Sequence, residues 1–330
     1  MKKSLILPFL VLVIPLLFIA CGPSSTDIPS EPMPVRLAMP FRPDVQFAPF
    51  YVSIEKGFFS EVNMDVTIEH LPENEAVALV GAGEVPFAIV SGEQVLLARA
   101  QELPVVYVMA WWHDYPVAVA VPEDSNIRSP RDLVGKKVGI PGLYGASYIG
   151  YRALLSAEGV SEQETTLDTI GYNQVEAMLA GQVDAIVVYA NNEPIQLKEL
   201  GFPMHLMRVA DFVSLASNGL ITNEKTLSEN PDLVRRMVSA ILKGIEYSIA
   251  NTSEAYEISK NYVEGLDKTE TDVLRNVLEE SVPFCKAATP GVSNPEAWIN
   301  MHAILLEMDL LSNPLDVQAA FTNEYLPEND

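Results

Sequence analysis

From Val35 onward, short apolar runs alternate with stretches of helical spacing. The runs Val35–Phe41, Val66–Leu71, Val85–Ser91, Val105–Trp111, Val117–Val121, Lys137–Ile140, Ala185–Tyr189, Leu206–Val209 and Gly219–Thr222 predict strands. They are short, rich in β-branched residues and bounded by turn formers. Helix-length segments separate most of them, at Ala48–Lys56, Glu93–Gln101, Tyr148–Glu158, Gln174–Ala180 and Pro194–Leu200. Such alternation predicts an α/β fold with mainly parallel sheets. After Asn223 only helical patterns remain. Asn230-Pro231 and Asn294-Pro295 each read as a capping Asn followed by a first-turn Pro. Val234, Val238, Ile241, Ile245 and Ile249 then form one core stripe, and Trp298, Met301, Leu305, Met308 and Leu311 another.

Leu79–Val90 echoes Ala177–Val188: in each, a helix ends at glycine (Gly83, Gly181) and a buried strand follows. Two such units predict two lobes facing each other. Ligands of open α/β sheets bind beyond the carboxyl ends of the strands. Ser91-Gly92-Glu93-Gln94 and Asn191-Asn192-Glu193 fall there.

The N-terminus departs from this pattern. Lys2 and Lys3 precede an apolar run, Leu5 to Ala20, interrupted by Pro8 and Pro15. A basic head, an apolar middle and a small residue at the cut make a secretory signal. Phe18-Ile-Ala-Cys21-Gly22 resembles a bacterial lipobox, with Phe18 where Leu is usual. The expectation is a signal peptide over 1–20, lipidation of Cys21 and a Pro/Ser-rich, lipid-anchored tether over 21–34. The body would then lie on the extracytoplasmic face of the cell membrane. An uncleaved membrane anchor is the alternative reading.

Composition narrows the function. The chain has 330 residues, enough for two domains, and a net charge of −23 from Lys+Arg 21 against Asp+Glu 44. That charge, with no basic stripe, excludes a nucleic-acid partner. Only Cys21 and Cys285 are cysteines, so once Cys21 is lipidated Cys285 is a lone thiol, expected to be buried. The histidines are His70, His113, His205 and His302, without metal-ligand spacing, so no metal site is expected. No nucleophile elbow, Walker A loop or GxGxxG occurs, and no catalytic residue or cofactor is assigned. Gly139-Ile-Pro-Gly142-Leu-Tyr-Gly145-Ala-Ser-Tyr148 joins a strand to a helix. It reads either as amides presented to a polar ligand or as an ordinary tight turn.

Ordered motifs over about residues 35–260 carry a family resemblance. They are Ala48-Pro-Phe-Tyr51-Val-Ser-Ile-Glu-Lys-Gly-Phe-Phe59, Ser129-Pro-Arg-Asp-Leu-Val-Gly-Lys-Lys-Val-Gly139, Glu176-Ala-Met-Leu-Ala-Gly-Gln-Val-Asp184-Ala, Asn192-Glu193-Pro194 and Asn230 to Gly244. The chain resembles the substrate-binding lipoproteins of ABC importers, in the group that includes the thiamine-pyrimidine synthases and the ThiY-type pyrimidine-binding proteins. Tyr144-Gly-Ala-Ser-Tyr148 and Tyr189-Ala-Asn-Asn-Glu-Pro194 look more like the riboflavin-binding RibY-type members. The resemblance implies a two-lobed periplasmic-binding-protein fold (type II, Venus-flytrap). Lobe one would hold 35–118 and 219–330, and lobe two 119–218. It also implies a membrane permease and a cytosolic ATPase as partners. The synthase members use a cysteine- and histidine-rich segment that this chain lacks, so an enzyme is not expected. A ligand sensor without a permease is a further alternative.

The cleft candidates are aromatic and amide-rich: Phe41, Gln46, Tyr51, Glu93, Trp111, Trp112, Tyr115, Tyr144, Ser147, Tyr148, Tyr172, Asn173, Tyr189, Asn192, Glu193 and Asn218. Rings stack on flat ligands, while amides and carboxylates read a heterocycle's edge. Arg42 is the one cation among these loops, so an anionic ligand, which wants a cationic clamp, is disfavoured. The expected partner is a small neutral planar heterocycle, with riboflavin favoured over a thiamine-pyrimidine precursor. In the pyrimidine-binding relatives a glutamate matching Glu193 faces the ring. Trp111 and Trp112 close a predicted strand, so one ring is expected in the core and the other in the cleft.

Overall fold

A computed structural model describes residues 31–266 and 272–327. The expected signal, Cys21 and the tether up to residue 30 lie outside the described residues. The body carries two five-stranded sheets. The strands are β1 (Met33–Met39), β2 (Met64–His70), β3 (Phe87–Val90), β4 (Val105–Ala110), β5 (Val117–Pro122), β6 (Lys137–Ile140), β7 (Thr166–Thr169), β8 (Ala185–Tyr189), β9 (Met204–Arg208) and β10 (Gly219–Asn223). The first sheet runs β2-β1-β3-β10-β4 and the second β7-β6-β8-β5-β9.

The two sheets share one plan. In each, the three strands on one side pair in parallel: β2, β1 and β3, then β7, β6 and β8. The fourth strand runs against both neighbours, β10 between β3 and β4, and β5 between β8 and β9. The sheets are therefore mixed rather than mainly parallel. Strand–helix–strand units force parallel pairing. β5 and β10 arrive instead from the other sheet, without a crossover helix, and enter reversed.

The helices are α1 (Ala48–Glu55), α2 (Phe58–Glu61), α3 (Glu73–Ala82), α4 (Gly92–Ala100), α5 (Gly145–Ala157), α6 (Gln174–Leu179), α7 (Glu193–Glu199), α8 (Glu224–Glu229), α9 (Pro231–Ala250), α10 (Thr252–Ser259), α11 (Asp272–Ser281) and α12 (Pro295–Glu307). The α9 stripe is buried at Val234, Val238, Ile241 and Ile245, with Met237 beside it. Gly244 lets α9 close onto α1, since a Cβ there would meet the Ser53 hydroxyl at 2.0 Å and the Pro49 carbonyl at 2.3 Å. Ser53 ties the two helices by donating to Ala240 O at 3.1 Å. The α12 face buries Trp298, whose Nε1 donates to Ser293 at 2.6 Å and whose ring stacks on Phe321. Asn294 caps α12 by accepting from Glu296 N, whereas Asn230 makes no side-chain cap bond to α9. Pro231 still supplies the first-turn geometry at that end. Among the described residues no helix is long and apolar enough to cross a membrane.

Candidate ligand-binding cleft

The carboxyl ends of the two sheets' strands meet, together with the amino ends of the reversed β5 and β10. β1 leads into Phe41 and β7 into Tyr172; these rings pack edge to face at 5.7 Å. β4 leads into Trp112, which faces Tyr189 at the end of β8 at 6.1 Å. Asp44, from the β1–α1 connection, lies close enough to Glu193, the first residue of α7, for its charge to raise the Glu193 pKa. The seam between the sheets is thus lined by loops from both.

Aromatic rings form its floor. Trp111 and Trp112 lie side by side, with centroids 4.4 Å apart, and each is only 1% exposed. Trp111 packs on Phe47 and Phe50, at 5.5 and 5.1 Å, and Trp112 packs on Phe284 at 5.4 Å. Both are buried, so exposure does not separate them; their contacts do, since Trp111 packs among rings of the first sheet's core while Trp112 also meets Tyr189 of the second sheet. Strand alternation fails because the chain bends there: the backbone N–H groups of both residues donate to the same carbonyl, Asn218 O, each at 3.0 Å. The buried thiol of Cys285 lies beside the two indole N–H groups. Burial pushes its pKa up to about 12, and the two indoles act in the opposite direction. Tyr51, also buried, stacks face to face on Tyr262 at 4.3 Å.

Polar groups surround this floor. Glu193 is half-buried, and its Oε2 accepts from Tyr189 N at 3.0 Å, bracing the β8–α7 turn. Burial pushes its carboxyl pKa up to about 7. Glu93, in the first turn of α4, is fully buried; it accepts from Ser91 Oγ at 2.6 Å and from the Tyr115 hydroxyl at 3.4 Å. Asp44 accepts from the backbone of Gln46, and burial raises its pKa. Asn192 accepts from Gln196, and Asn191 donates to Ser281 Oγ at 2.7 Å.

Among the described residues, two buried amide oxygens, Asn191 Oδ1 and Asn218 Oδ1, have no hydrogen-bond partner, while the Trp111 and Trp112 indoles have the Cys285 thiol beside them and Tyr51 OH has the Asp44 backbone N–H near it. A buried donor or acceptor left unpaired costs about 1–3 kcal/mol.

The sequence candidates fall into several groups. Trp112 and Tyr189 meet across the sheets, with Glu193 bracing Tyr189 and Asn218 holding the Trp111–Trp112 backbone. Glu93 and Tyr115 lie together near Tyr189. Tyr51 and Trp111 pack into the first sheet's core, Gln46 is buried beside Asp44, and Asn192 pairs with Gln196. Tyr144 and Tyr172, each 67% exposed, form the seam's outer rim with Leu143 and Phe41, and Asn173 is exposed beside Tyr172. Tyr148 is turned aside: its hydroxyl donates to Glu162 at 2.8 Å and accepts from Arg152. Ser147 is half-buried in the first turn of α5. Sequence reasoning missed Asp44, Phe47, Phe50, Glu73, Tyr262, Phe284 and Cys285. Phe47 precedes a matched motif and Phe50 lies within it, so both could have been found there. Phe284 and Cys285 follow α11 in a segment that carries no signal of its own.

Comparison with known proteins gives the relationship. Residues 44–255 match the family described as NMT1/THI5 like. The riboflavin-binding protein RibY of Chloroflexus aurantiacus is 34% identical, over 99% of this chain and 99% of its own. The chain belongs to the NMT1/THI5-like family. Within that family, the formylaminopyrimidine-binding protein of Halalkalibacterium halodurans is 28% identical, over 94% of this chain and 97% of its own. A 4-amino-5-hydroxymethyl-2-methylpyrimidine phosphate synthase of Legionella pneumophila is 24% identical, covering 85% and 88%. Among solved structures, the periplasmic aliphatic sulphonate binding protein SsuA of Escherichia coli superposes with a TM-score of 0.73 at 12% identity, covering 91% of this chain and 95% of its own. The fold of this NMT1/THI5-like chain is the two-lobed periplasmic-binding-protein fold.

Proposed function

We propose that the chain is the extracytoplasmic substrate-binding lipoprotein of an ABC importer and that its ligand is riboflavin. The observation that carries this reading is the aromatic seam: Trp111, Trp112 and Phe284 cluster in the first sheet's core, Tyr189 of the second sheet meets Trp112, and the amide oxygens of Asn191 and Asn218 have no partner among the described residues. Large flat faces and neutral hydrogen-bonding edges suit a three-ring heterocycle that carries amide-type edges. The full-length similarity to a protein named for riboflavin binding supports it. In this reading the chain catalyses nothing. Residues 35–118 with 219–330 make one lobe and 119–218 the other, and ligand contacts to both favour the closed form. The closed form docks on a membrane permease driven by a cytosolic ATPase, and Cys21 carries the lipid that holds the body at the membrane.

A thiamine-pyrimidine precursor is the second reading. The half-buried Glu193 favours it, since a carboxyl held at the start of α7 can pair with the amino edge of one small ring. Absorbance of the protein purified without added ligand separates the two. Riboflavin that copurifies gives a visible yellow band released on denaturation. A ligand that absorbs only in the ultraviolet favours the pyrimidine.

A further inference from the structure

One segment that packs on the first sheet's side also leans across onto the second. α11 and the turn after it, Val282–Cys285, pack on α9, α10 and the Val45–Phe47 turn of the β1–α1 connection. The same segment meets α7, which lies between β8 and β9 of the second sheet. Four points along it reach that side. Asn276 Nδ2 donates to Glu199 Oε1 at 3.1 Å. Val277 and Leu278 belong to an apolar cluster against which Ile195 of α7 packs. Ser281 Oγ accepts from Asn191 Nδ2 at 2.7 Å and donates its one proton to Val277 O at 2.6 Å. The Phe284 ring carries the Arg208 guanidinium from the end of β9, with Cζ 5.0 Å from the ring centroid.

These contacts grade from one end of the segment to the other. The chain passes from the first sheet to the second over residues 111–116 and returns over 209–218. Phe284 is held at both passages. His113 N, in the first, donates to Phe284 O at 2.8 Å, and Arg208 stands at the entry to the second. The Phe284 ring also packs on Trp112. This end is buried, as is the bond between Asn191 and Ser281. The far end is not: the bond between Asn276 and Glu199 is exposed to solvent, and Ile195 is half-buried. When two halves turn about the passages that join them, points far from those passages separate most. The buried contacts therefore lie where little movement is needed, and the solvated ones where movement is largest.

We propose that α11 and the turn after it form a strap along one flank of the seam, pivoted at Phe284 and clasped on α7, and that the clasp parts when the two halves open. The outer contacts are of a kind that can part. Water replaces a hydrogen bond between exposed side chains at little net cost, and a half-buried isoleucine gives up only part of its burial. The pivot keeps the strap in place while the clasp is open, because both passages hold Phe284. A clasp of this kind sets how much of the protein is closed before any ligand arrives. It therefore scales affinity through Ile195, Glu199 and Asn276 rather than through contacts to the ligand.

The clasp is independent of which heterocycle binds, so it is tested on the ligand-free full chain. Spin labels at Lys198→Cys on α7 and Glu279→Cys on α11, both exposed positions, read the separation of the two helices by dipolar spectroscopy. Cys21→Ser leaves these as the labelled thiols, since Cys285 is buried. With the clasp intact, the expected result is a main population at the short separation of this structure. Asn276→Ala and Ile195→Ala are each expected to raise the ratio of long to short separations roughly two- to tenfold, the weight of one net hydrogen bond. Asn276→Ala removes a surface bond, so the comparison does not depend on Ile195→Ala folding. A distribution that the variants leave unchanged makes α11 a fixed brace and overturns the proposal.

Discussion

Trp112 and Tyr189 face each other at 6.1 Å, one ring just after the last strand to join the first sheet before the crossing, the other at the end of a central strand of the second. Each ring is anchored by its own half of the molecule. Trp112 is held by Phe284 and by its backbone bond to Asn218 O, and Tyr189 by the turn that Glu193 braces. A planar ligand at this seam touches both halves at once, which is what a ligand needs in order to favour closure.

The two tryptophans should respond as buried groups. Trp111→Ala is expected to cost about 3–5 kcal/mol of folding stability, because the ring fills space among Phe47, Phe50 and Trp112. Trp112→Phe keeps most of the volume and should cost under about 1.5 kcal/mol. It should nonetheless weaken flavin binding, since the indole N–H and the larger face are gone. Chemical denaturation and a binding titration on each variant separate the two effects. A Trp111→Ala variant as stable as the wild type contradicts this packing.

Glu193 gives a pH dependence of definite sign. Its pKa is about 7 in the fold against a usual 4.5, so the folded chain holds a proton that the unfolded chain releases. Its contribution to stability is therefore full below about pH 4.5 and lost as pH rises through 7. A ring N–H donated to this carboxyl favours the ionised form, so affinity should rise over the same interval. Glu193→Gln should flatten that rise. Glu193→Ala should lose a charge-assisted bond of about 1.5–3 kcal/mol, roughly ten- to more than a hundredfold in affinity. Isothermal titration at several pH values checks both.

The rim rings should affect retention rather than folding. Phe41 and Tyr172 meet edge to face in the open, and Phe41 holds a positive φ of 61° that a side chain of its kind seldom adopts. Tyr172→Ala should leave the melting temperature within about 2 °C, as exposed substitutions change stability by under about 0.5 kcal/mol. It should speed ligand release roughly two- to tenfold, the equivalent of one aromatic contact of about 0.5–1.5 kcal/mol. Stopped-flow dissociation is the measurement.

Anchoring depends on one sulfur. Cys21→Ser removes the atom that lipidation needs, so the variant should either leave the membrane fraction or retain its signal. Fractionation followed by mass measurement of the N-terminus reads the outcome. A variant that matures and fractionates like the wild type contradicts the lipoprotein reading.

Much of this architecture was legible in the chain because buried strands advertise themselves. Runs such as Val105–Ala110 and Ala185–Val188 are apolar throughout and have almost no other use. β7 was invisible because it is an edge strand of sequence Thr-Leu-Asp-Thr, half solvent-facing and paired on one side only. The glycines of the internal echo were legible for a physical reason: Gly83 and Gly181 both take positive φ where a helix ends. The seam was half legible. Loop aromatics after strands announce a cleft, but the partners that bury them come from Phe284 and Tyr262, far along the chain. The Trp111–Trp112 bend was not legible either, since it depends on the carbonyl of Asn218 reaching back to two amides. Glu73 shows the same limit, because its partner Ser91 is fixed by the packing of α3 against β3 rather than by any local pattern.

The most direct test of the central claim is a titration of free riboflavin into the purified full chain, followed by flavin fluorescence. Electron-rich rings stacked on an isoalloxazine deactivate its excited state, so the seam of Trp112 and Tyr189 predicts strong, saturable quenching at micromolar concentration, with a matching fall in tryptophan emission. Unchanged flavin fluorescence at that concentration, alongside a thermal shift with a formylamino- or hydroxymethyl-pyrimidine, contradicts the riboflavin assignment and gives the cleft to the smaller ring.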